Sequence, residues 1–197
     1  IEIDILGKPI GKQDQYIAAY GGMREINFLP DKKVTIEAIN IKSKNRLVFG
    51  SNLLLFYTDI TRQSSDILTN QKAETQNKRD ILQQIRDQVP RVREILEHGT
   101  IYDDIGHILH ETWVLKKQIT EKISNPLINE MYQKARKAGA LGGKISGAGG
   151  GGFLLLYVPR DKQNKVRIAL KEYREFPFML DPYGSKIIFN IRRDYWK

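Results

Sequence analysis

A run of glycines between two hydrophobic segments constrains this chain more than any other feature. Five of the six residues from Gly147 to Gly152 are glycine, within the stretch KISGAGGGGFLLLYV. Glycine loses the most backbone entropy on ordering, so a run this dense requires a reason. The flanking segments have the composition of strands, which predicts a hairpin whose turn is the glycine run. A tight turn needs only one or two glycines, so the excess indicates that something approaches this backbone closely.

The order of elements from residue 53 predicts an α+β fold. The pattern is strand, helices, strand, glycine turn, strand, helix and strand, that is, β-α-β-β-α-β with extra helices in the first crossover. This order is typical of a ferredoxin-like antiparallel sheet with helices on one face. The predicted strands are SNLLLFYTD, KIS, FLLLYV and a final SKIIFNI. Ahead of them, REINF and KVTIEAI flank Pro30-Asp31 and predict a separate hairpin.

Helix signals are local and specific. Polar periodicity predicts a helix from about Thr61 to Gln88, which Pro90 interrupts. A second helix starts near Asp103, and a fourth is predicted after Asp161. The third has the clearest start, because Asn125 suits the cap and Pro126 the first helical position. Its predicted buried stripe is Leu127, Met131, Ala135 and Ala138, with Gly139 at its exit.

Composition excludes several classes of protein. The 197-residue chain has no cysteine, so disulfides and thiolate chemistry are absent, and no apolar run reaches transmembrane length. His98, His107 and His110 are too few for a zinc site without cysteine. The net charge of +9 favours anionic partners, but its even spread argues against nucleic acid. With no signal peptide visible, the expected location is the cytoplasm.

The glycine run fits none of the standard nucleotide motifs in context. Gly147, Gly149 and Gly152 match G-x-G-x-x-G, yet a strand follows where a dinucleotide site needs a helix. Phe153 stands where a P-loop requires lysine, and protein-kinase motifs are missing. Two interpretations remain. The bare N–H groups form a nest for an anion, or the run is a tight turn packed against a neighbouring element.

The polar cluster Lys12-Gln13-Asp14-Gln15 is the second candidate site. A carboxylate there can accept the proton of a hydroxyl that attacks a phosphoryl group. Alternatively, Asp14 caps a small-residue helix that starts near Tyr16. The residues alone favour the cap.

Two separated motifs carry a resemblance to a known family. ISGAGGGGF, preceded by NPLINEMYQKARKAGALGGK, resembles the third conserved motif of the GHMP kinases. More narrowly, GKQDQYIAAYGG and KAGALGGKISGAGGGGFLLLYVP resemble D-glycero-D-manno-heptose 7-phosphate kinases. The likeness extends over nearly the whole chain, including YTDITRQSSDIL and HETWVLKKQITEKISNP.

The resemblance implies a two-domain kinase with its active site between the domains. Residues 1–45 would be the tail of the N-terminal domain, and residues 46–197 the ferredoxin-like C-terminal domain. The family's first two motifs, including the serine-containing loop for the ATP phosphates, have no match here. Since the sequence also opens abruptly at Ile1, we expect a missing N-terminal part of the same protein. The fragment alone is expected to bind ATP poorly and to be inactive.

The resemblance also implies a reaction: transfer of phosphate from ATP, with Mg²⁺, to the anomeric hydroxyl of a heptose 7-phosphate. Asp14 would be the general base. Lys12 would stabilise its carboxylate or hold the sugar phosphate, while Gln13 and Gln15 would bind sugar hydroxyls and Arg62 a phosphate. The phosphate or nucleotide loop would comprise Ser146, Gly147, Ala148, Gly149, Gly150, Gly151 and Gly152.

Other functions stay open from the sequence. Another sugar kinase of the superfamily, acting on fucose or galactose, fits the same motifs. A non-enzymatic ferredoxin-like module that binds RNA fits the fold and charge, although no segment matches the aromatic RNA-recognition pattern. Lys12, Gln13, Gln15 and Arg62 are equally compatible with plain surface positions. We expect neither nucleic acid nor a membrane as partner.

Overall fold

The computed structural model describes residues 3, 5–7, 10–61 and 78–189. The chain divides into two compact units. The larger contains residues 1–10 and 40–179, and the smaller contains residues 11–39 and 180–197. The division between residues 45 and 46 stays a prediction about the domains of the intact protein.

The smaller unit contains one helix and one hairpin. Helix α1 is Gln13–Tyr20, strand β1 is Arg24–Phe28 and strand β2 is Val34–Ala38. The two strands pair antiparallel, which confirms the predicted hairpin. Its turn is fixed by the carboxylate of Asp31, which accepts a hydrogen bond from the N–H of Lys33 at 3.1 Å.

The predicted last strand, SKIIFNI, is wrong over its described part. Residues 184–189 form no strand, and the side chains of Ile187, Ile188 and Phe189 are 84%, 95% and 78% exposed. Ser185 instead donates its N–H to the carbonyl of Ala18 at 3.0 Å, within the smaller unit. Apolar β-branched residues alone do not make a strand, because a strand needs a partner edge to pair with.

The sheet of the larger unit contains strands β3 (Leu53–Tyr57), β4 (Gly142–Ile145) and β5 (Phe153–Tyr157). Their order is β3-β5-β4, and both pairs are antiparallel. Residues 174–176 take the fourth position beside β3, where Tyr57 donates its N–H to the carbonyl of Arg174 at 2.9 Å. The predicted α+β class is confirmed, with the fourth sheet position filled by an earlier segment than expected.

Helices precede and surround this sheet. Pro90, which was expected to interrupt a helix, lies in the first turn of a new one, where a missing N–H costs nothing. None of the described helices is long and apolar enough to cross a bilayer. The helices are α2 (Ser43–Ser51), α3 (Arg79–Arg86), α4 (Val89–His98), α5 (Asp103–Lys117), α6 (Pro126–Ala138) and α7 (Gln163–Ala169), with short 3-10 turns at Glu121–Ile123 and Arg160–Lys162.

Helix α6 confirms its predicted boundaries. The side chain of Asn125 accepts a hydrogen bond from the N–H of Ile128 at 2.9 Å, and Gly139 closes the helix at φ +116°. The predicted stripe is wrong at Leu127, which is 60% exposed, while Ile128 and Tyr132 are buried. Met131, Ala135 and Ala138 hold the predicted positions in or against the core, and Ile128 replaces Leu127 at the start of the stripe.

The core lies on one face of the sheet. Leu54 and Phe56 of β3 share it with Leu154 and Leu156 of β5, as the two-residue period of a strand requires. On the opposite face, Tyr157 packs against Phe49, which in turn packs against Tyr102, an additional layer that the sequence did not predict. The helical side of the core comprises Trp113, Ile119, Ile123, Ile128, Met131, Tyr132, Ala135, Val166 and Leu170.

Replacing Asn125 by alanine tests the start of α6. Asn125→Ala removes the acceptor for the Ile128 N–H, so we expect the free energy of unfolding to fall by about 1 kcal/mol. Asn125→Ser keeps an acceptor and should fall by much less. Urea denaturation of the three proteins checks this, and an equal loss in both variants would contradict the cap.

Candidate phosphate site at the glycine loop

The glycine loop connects β4 to β5, in a conformation that other residues rarely adopt. Four of its residues have φ between +71° and +107°. L-residues are disfavoured there because their Cβ meets the backbone. These four are Gly147 (+71°), Gly149 (+107°), Gly150 (+73°) and Gly152 (+81°).

Two backbone carbonyl groups hold the loop from either side. The N–H of Gly150 donates to the carbonyl of Ile123 at 2.7 Å, and that of Gly152 to the carbonyl of Ile60 at 2.9 Å. The carbonyl of Gly152 in turn accepts from the N–H of Thr58 at 2.8 Å and from its hydroxyl at 2.9 Å. The loop is thereby fixed to the chain beyond β3 and to the 3-10 turn before α6.

The same carbonyls account for part of the glycine excess. A Cβ on Gly149 would lie 2.8 Å from the oxygen of Ile123, and one on Gly151 would lie 2.5 Å from the oxygen of Ile60. Around Gly147 and Gly152 nothing lies within 4 Å of a built Cβ. Packing of a tight turn against neighbouring backbone, one of the two interpretations left open by the sequence, thus explains Gly149 and Gly151.

The remaining N–H groups keep the loop suited to an anion. Within the described part of the chain, the N–H groups of Gly147, Ala148, Gly149 and Gly151 donate to no protein acceptor. Successive free N–H groups in a positive-φ turn form a concavity that attracts negative charge. Packing on two sides and free donors elsewhere are compatible, because different residues of the loop serve each.

Two lysines with no role predicted from the sequence, Lys116 and Lys144, lie in the segments beside the loop. Lys116, in the last turn of α5, donates from Nζ to the carbonyl of Gly147 at 2.8 Å. Burial, and secondarily the charge of Lys144, lower the pKa of Lys116 to about 8. Burial also lowers the pKa of Lys144, which is the third residue of β4. The sequence feature that could have indicated this site is the position of Lys144, a cation two residues before Ser146, where the predicted phosphate loop begins.

The second candidate cluster lies in the smaller unit. Lys12, Gln13, Asp14 and Gln15 are all exposed, at the start of α1. Asp14 does not cap that helix, because Lys12 occupies the cap position without a side-chain hydrogen bond and Asp14 lies in the first turn. The capping interpretation is therefore wrong. A carboxylate in a first turn does interact favourably with the positive end of the helix dipole.

The other singled-out residues do not form a ligand-binding cluster. Arg62 lies outside the described residues. His110 is half-buried, with its Nδ1 2.7 Å from the hydroxyl of Tyr132, and partial burial lowers the pKa of His110. Asp103 accepts a hydrogen bond from the hydroxyl of Tyr157 at 3.1 Å. Among the described residues no group of three metal-ligating side chains occurs.

A cavity of 620 Å³ lies among α3, α4 and α5. Arg91 in its lining lies 3.7 Å from the carboxylate of Glu111, Gln88 hydrogen-bonds to that group at 3.5 Å, and Asp87 lies 3.3 Å from Arg86. Among the described residues the cavity therefore offers no unpaired carboxylate or guanidinium to a ligand.

Comparison with known proteins assigns this architecture to a family. Residues 101–175 match the family described as GHMP kinases C terminal. This range runs from just before α5 to the segment that lies beside β3, and it includes the glycine loop. The chain carries the C-terminal domain of a GHMP kinase.

Individual relatives agree. The chain is 32% identical over 175 residues to a D-glycero-alpha-D-manno-heptose 7-phosphate kinase of Campylobacter jejuni, covering 87% of this chain and 51% of that protein. It is 26% identical over 182 residues to a bifunctional fucokinase/GDP-fucose pyrophosphorylase of Arabidopsis thaliana, covering 87% and 17%. A crystal structure of a D-glycero-D-manno-heptose 1-phosphate kinase from Bacteroides thetaiotaomicron superposes with a TM-score of 0.60 at 25% identity, covering 95% and 53%. The chain thus spans about half the length of both heptose kinases.

Two alanine substitutions in the loop separate close approach from backbone conformation. Gly149→Ala places a methyl group 2.8 Å from the Ile123 oxygen at positive φ, so we expect a loss of about 2–4 kcal/mol in unfolding free energy. Gly147→Ala has positive φ but open space, and should lose only about 1–2 kcal/mol. Chemical denaturation measures both, and equal losses would show that the approach of Ile123 imposes no constraint.

The charge coupling of the two lysines has its own measurable consequence. Lys144→Met removes a neighbouring positive charge, so the pKa of Lys116 should rise above about 8. It should stay below that of free lysine, because burial is the larger cause. NMR titration of the Lys116 ammonium group checks this, with the exposed Lys171→Met as a control of equal charge change. An unchanged titration in Lys144→Met would contradict the coupling.

Proposed function

We propose that this chain belongs to a kinase that transfers the γ-phosphoryl group of ATP to the anomeric hydroxyl of a heptose 7-phosphate. What supports the proposal above all is its 32% identity to a heptose 7-phosphate kinase over 87% of the chain. The other heptose kinase is named for a 1-phosphate, so the two relatives differ in the position of the phosphate. The reaction consumes ATP, and we place it in the cytoplasm.

Asp14 is the proposed general base. Its carboxylate takes the proton of the attacking sugar hydroxyl as the oxygen–phosphorus bond forms and the bond to the ADP oxygen breaks. An exposed carboxylate in the first turn of a helix is accessible to a substrate. In the same cluster, Lys12 is proposed to hold the carboxylate or the sugar phosphate, and Gln13 and Gln15 the sugar hydroxyls.

The glycine loop, Ser146 to Gly152, is proposed to bind phosphate oxygens. Its unengaged N–H groups are donors that need no rearrangement to receive negative charge. Phosphoryl transfer asks the protein mainly for such positioning and charge stabilisation. Bound Mg²⁺ would supply further neutralisation of the ATP phosphates. Arg62 is proposed as an additional phosphate ligand.

A fucose kinase is the second candidate, because the plant fucokinase aligns over the same share of the chain at 26% identity. Assay of the protein expressed from its complete reading frame against a panel of sugars separates the two. Strict dependence on a phosphate at C7 supports the heptose kinase. Turnover of unphosphorylated fucose or galactose contradicts it.

Asp14→Asn in the protein from the complete reading frame tests the base. Loss of a general base lowers kcat by about 10²–10⁴, with little change in folding, because the side chain is exposed. Asp31→Asn is the matched control, since it removes one exposed carboxylate of the same unit and keeps the turn acceptor. Turnover of Asp14→Asn equal to that of the control removes Asp14 from the mechanism.

A further inference from the structure

We propose that Lys116 and Lys144 form, together with the free N–H groups of the glycine loop, a binding site for one phosphate group. The inference rests on the proposed function for the identity of the ligand, and on the structure of the larger unit for the site itself. Both lysines lie in stretches that carry the family resemblance, HETWVLKKQITEKISNP and KAGALGGKISGAGGGGFLLLYVP, but the sequence predicted no role for either.

Lys116 and Lys144 lie close to each other beside the glycine loop. Lys116 reaches the loop from α5 and donates to the carbonyl of Gly147 at 2.8 Å, beside the unengaged N–H groups of the turn. An ammonium group has three donors, so two remain for another acceptor after this bond. Lys144 approaches from β4, close enough for its charge to act on Lys116. Lys116 and the loop therefore offer donors at one place, and the positive charge of Lys144 acts on that place.

The positive charges of Lys116 and Lys144 have no acidic partner among the described residues. Both lysines are half-buried, and neither forms an ion pair with any residue that the structure describes. Lys134 shows the ordinary solution, since its ammonium lies 2.6 Å from Glu172 and 3.1 Å from Glu130. Two like charges withdrawn from water raise the free energy of the folded state unless an anion joins them. An anionic ligand would supply the partner that the described residues do not.

Holding the loop in place does not by itself require two lysines. If Lys116 served only to hold the carbonyl of Gly147, a neutral donor would do so without the cost of burying charge. Lys144 makes no side-chain hydrogen bond to the loop among the described residues, so anchoring does not explain its presence. A second half-buried cation suits a dianion.

The chemistry favours a phosphate group. Lysine acts as a compact point charge toward phosphate, and free backbone donors complete the tetrahedral oxygens. The phosphate belongs either to the nucleotide or to the phosphorylated sugar, which share this chemistry. ADP and mannose 6-phosphate are the probes that distinguish the two sources.

The decisive experiment measures phosphate binding without turnover. The protein expressed from its complete reading frame is titrated with inorganic phosphate, ADP and mannose 6-phosphate by calorimetry, as wild type, Lys116→Met, Lys144→Met and the control Lys171→Met. We expect each of the first two variants to weaken binding of inorganic phosphate by about tenfold, and the control to change it less than twofold. Selective loss with ADP assigns the nucleotide, and selective loss with mannose 6-phosphate assigns the sugar. Equal affinity in all variants overturns the site.

A second measurement needs no variant and so does not depend on folding of the mutants. In the wild-type chain, saturation with inorganic phosphate should raise the pKa of the Lys116 ammonium from about 8, because a nearby anion stabilises the charged form. A purely structural lysine would titrate identically with and without phosphate, and that result overturns the proposal.

The two proposals fail separately. Phosphate binding that depends on both lysines, together with no activity on any sugar, would support the site and contradict the kinase reaction. Kinase activity that survives Lys116→Met and Lys144→Met at wild-type KM for both substrates would contradict the site and leave the reaction standing.

Discussion

The fixing of the glycine loop between two carbonyl groups is the constraint on which the candidate site depends. Ile60, just beyond β3, and Ile123, in the 3-10 turn before α6, each accept a hydrogen bond from the loop. Their oxygens leave no room for a side chain at Gly151 and Gly149. Because the turn is held on both sides, its other N–H groups keep a set orientation without a ligand. Preorganised donors of this kind stabilise developing charge without a cost of reorganisation during the reaction.

What the sequence predicted was mostly local. The Asn125 cap, the Gly139 exit and the hairpin before β3 each depend on residues only a few positions apart. The sequence alone therefore predicts them. The ferredoxin-like order followed from the succession of strands and helices. Predictions failed where a distant partner decides the outcome. The run at 185–191 is apolar like a strand, but its described part finds no sheet edge, since residues 174–176 already occupy the one beside β3.

The candidate site divides in the same way. A dense glycine run predicts that another group comes close to its backbone. Only the fold shows that these groups are the carbonyl oxygens of Ile60 and Ile123. Lys116 and Lys144 are 28 positions apart and resemble any other lysines in a chain with 32 lysines and arginines. Their withdrawal from water appears only when α5 packs beside β4. Residues that act through burial are, for this reason, the hardest to find from sequence.

The smaller unit is built from two stretches of chain that synthesis keeps far apart. The hydroxyl of Ser185 donates to the carbonyl of Ala18, 167 positions earlier. A ribosome therefore releases α1 and its hairpin long before their C-terminal partner exists. An isolated helix of eight residues does not persist in water. The stretch from α1 to β2 must therefore wait for residue 185 before its unit is complete, and a protease that removed the tail after residue 179 would return it to that incomplete state.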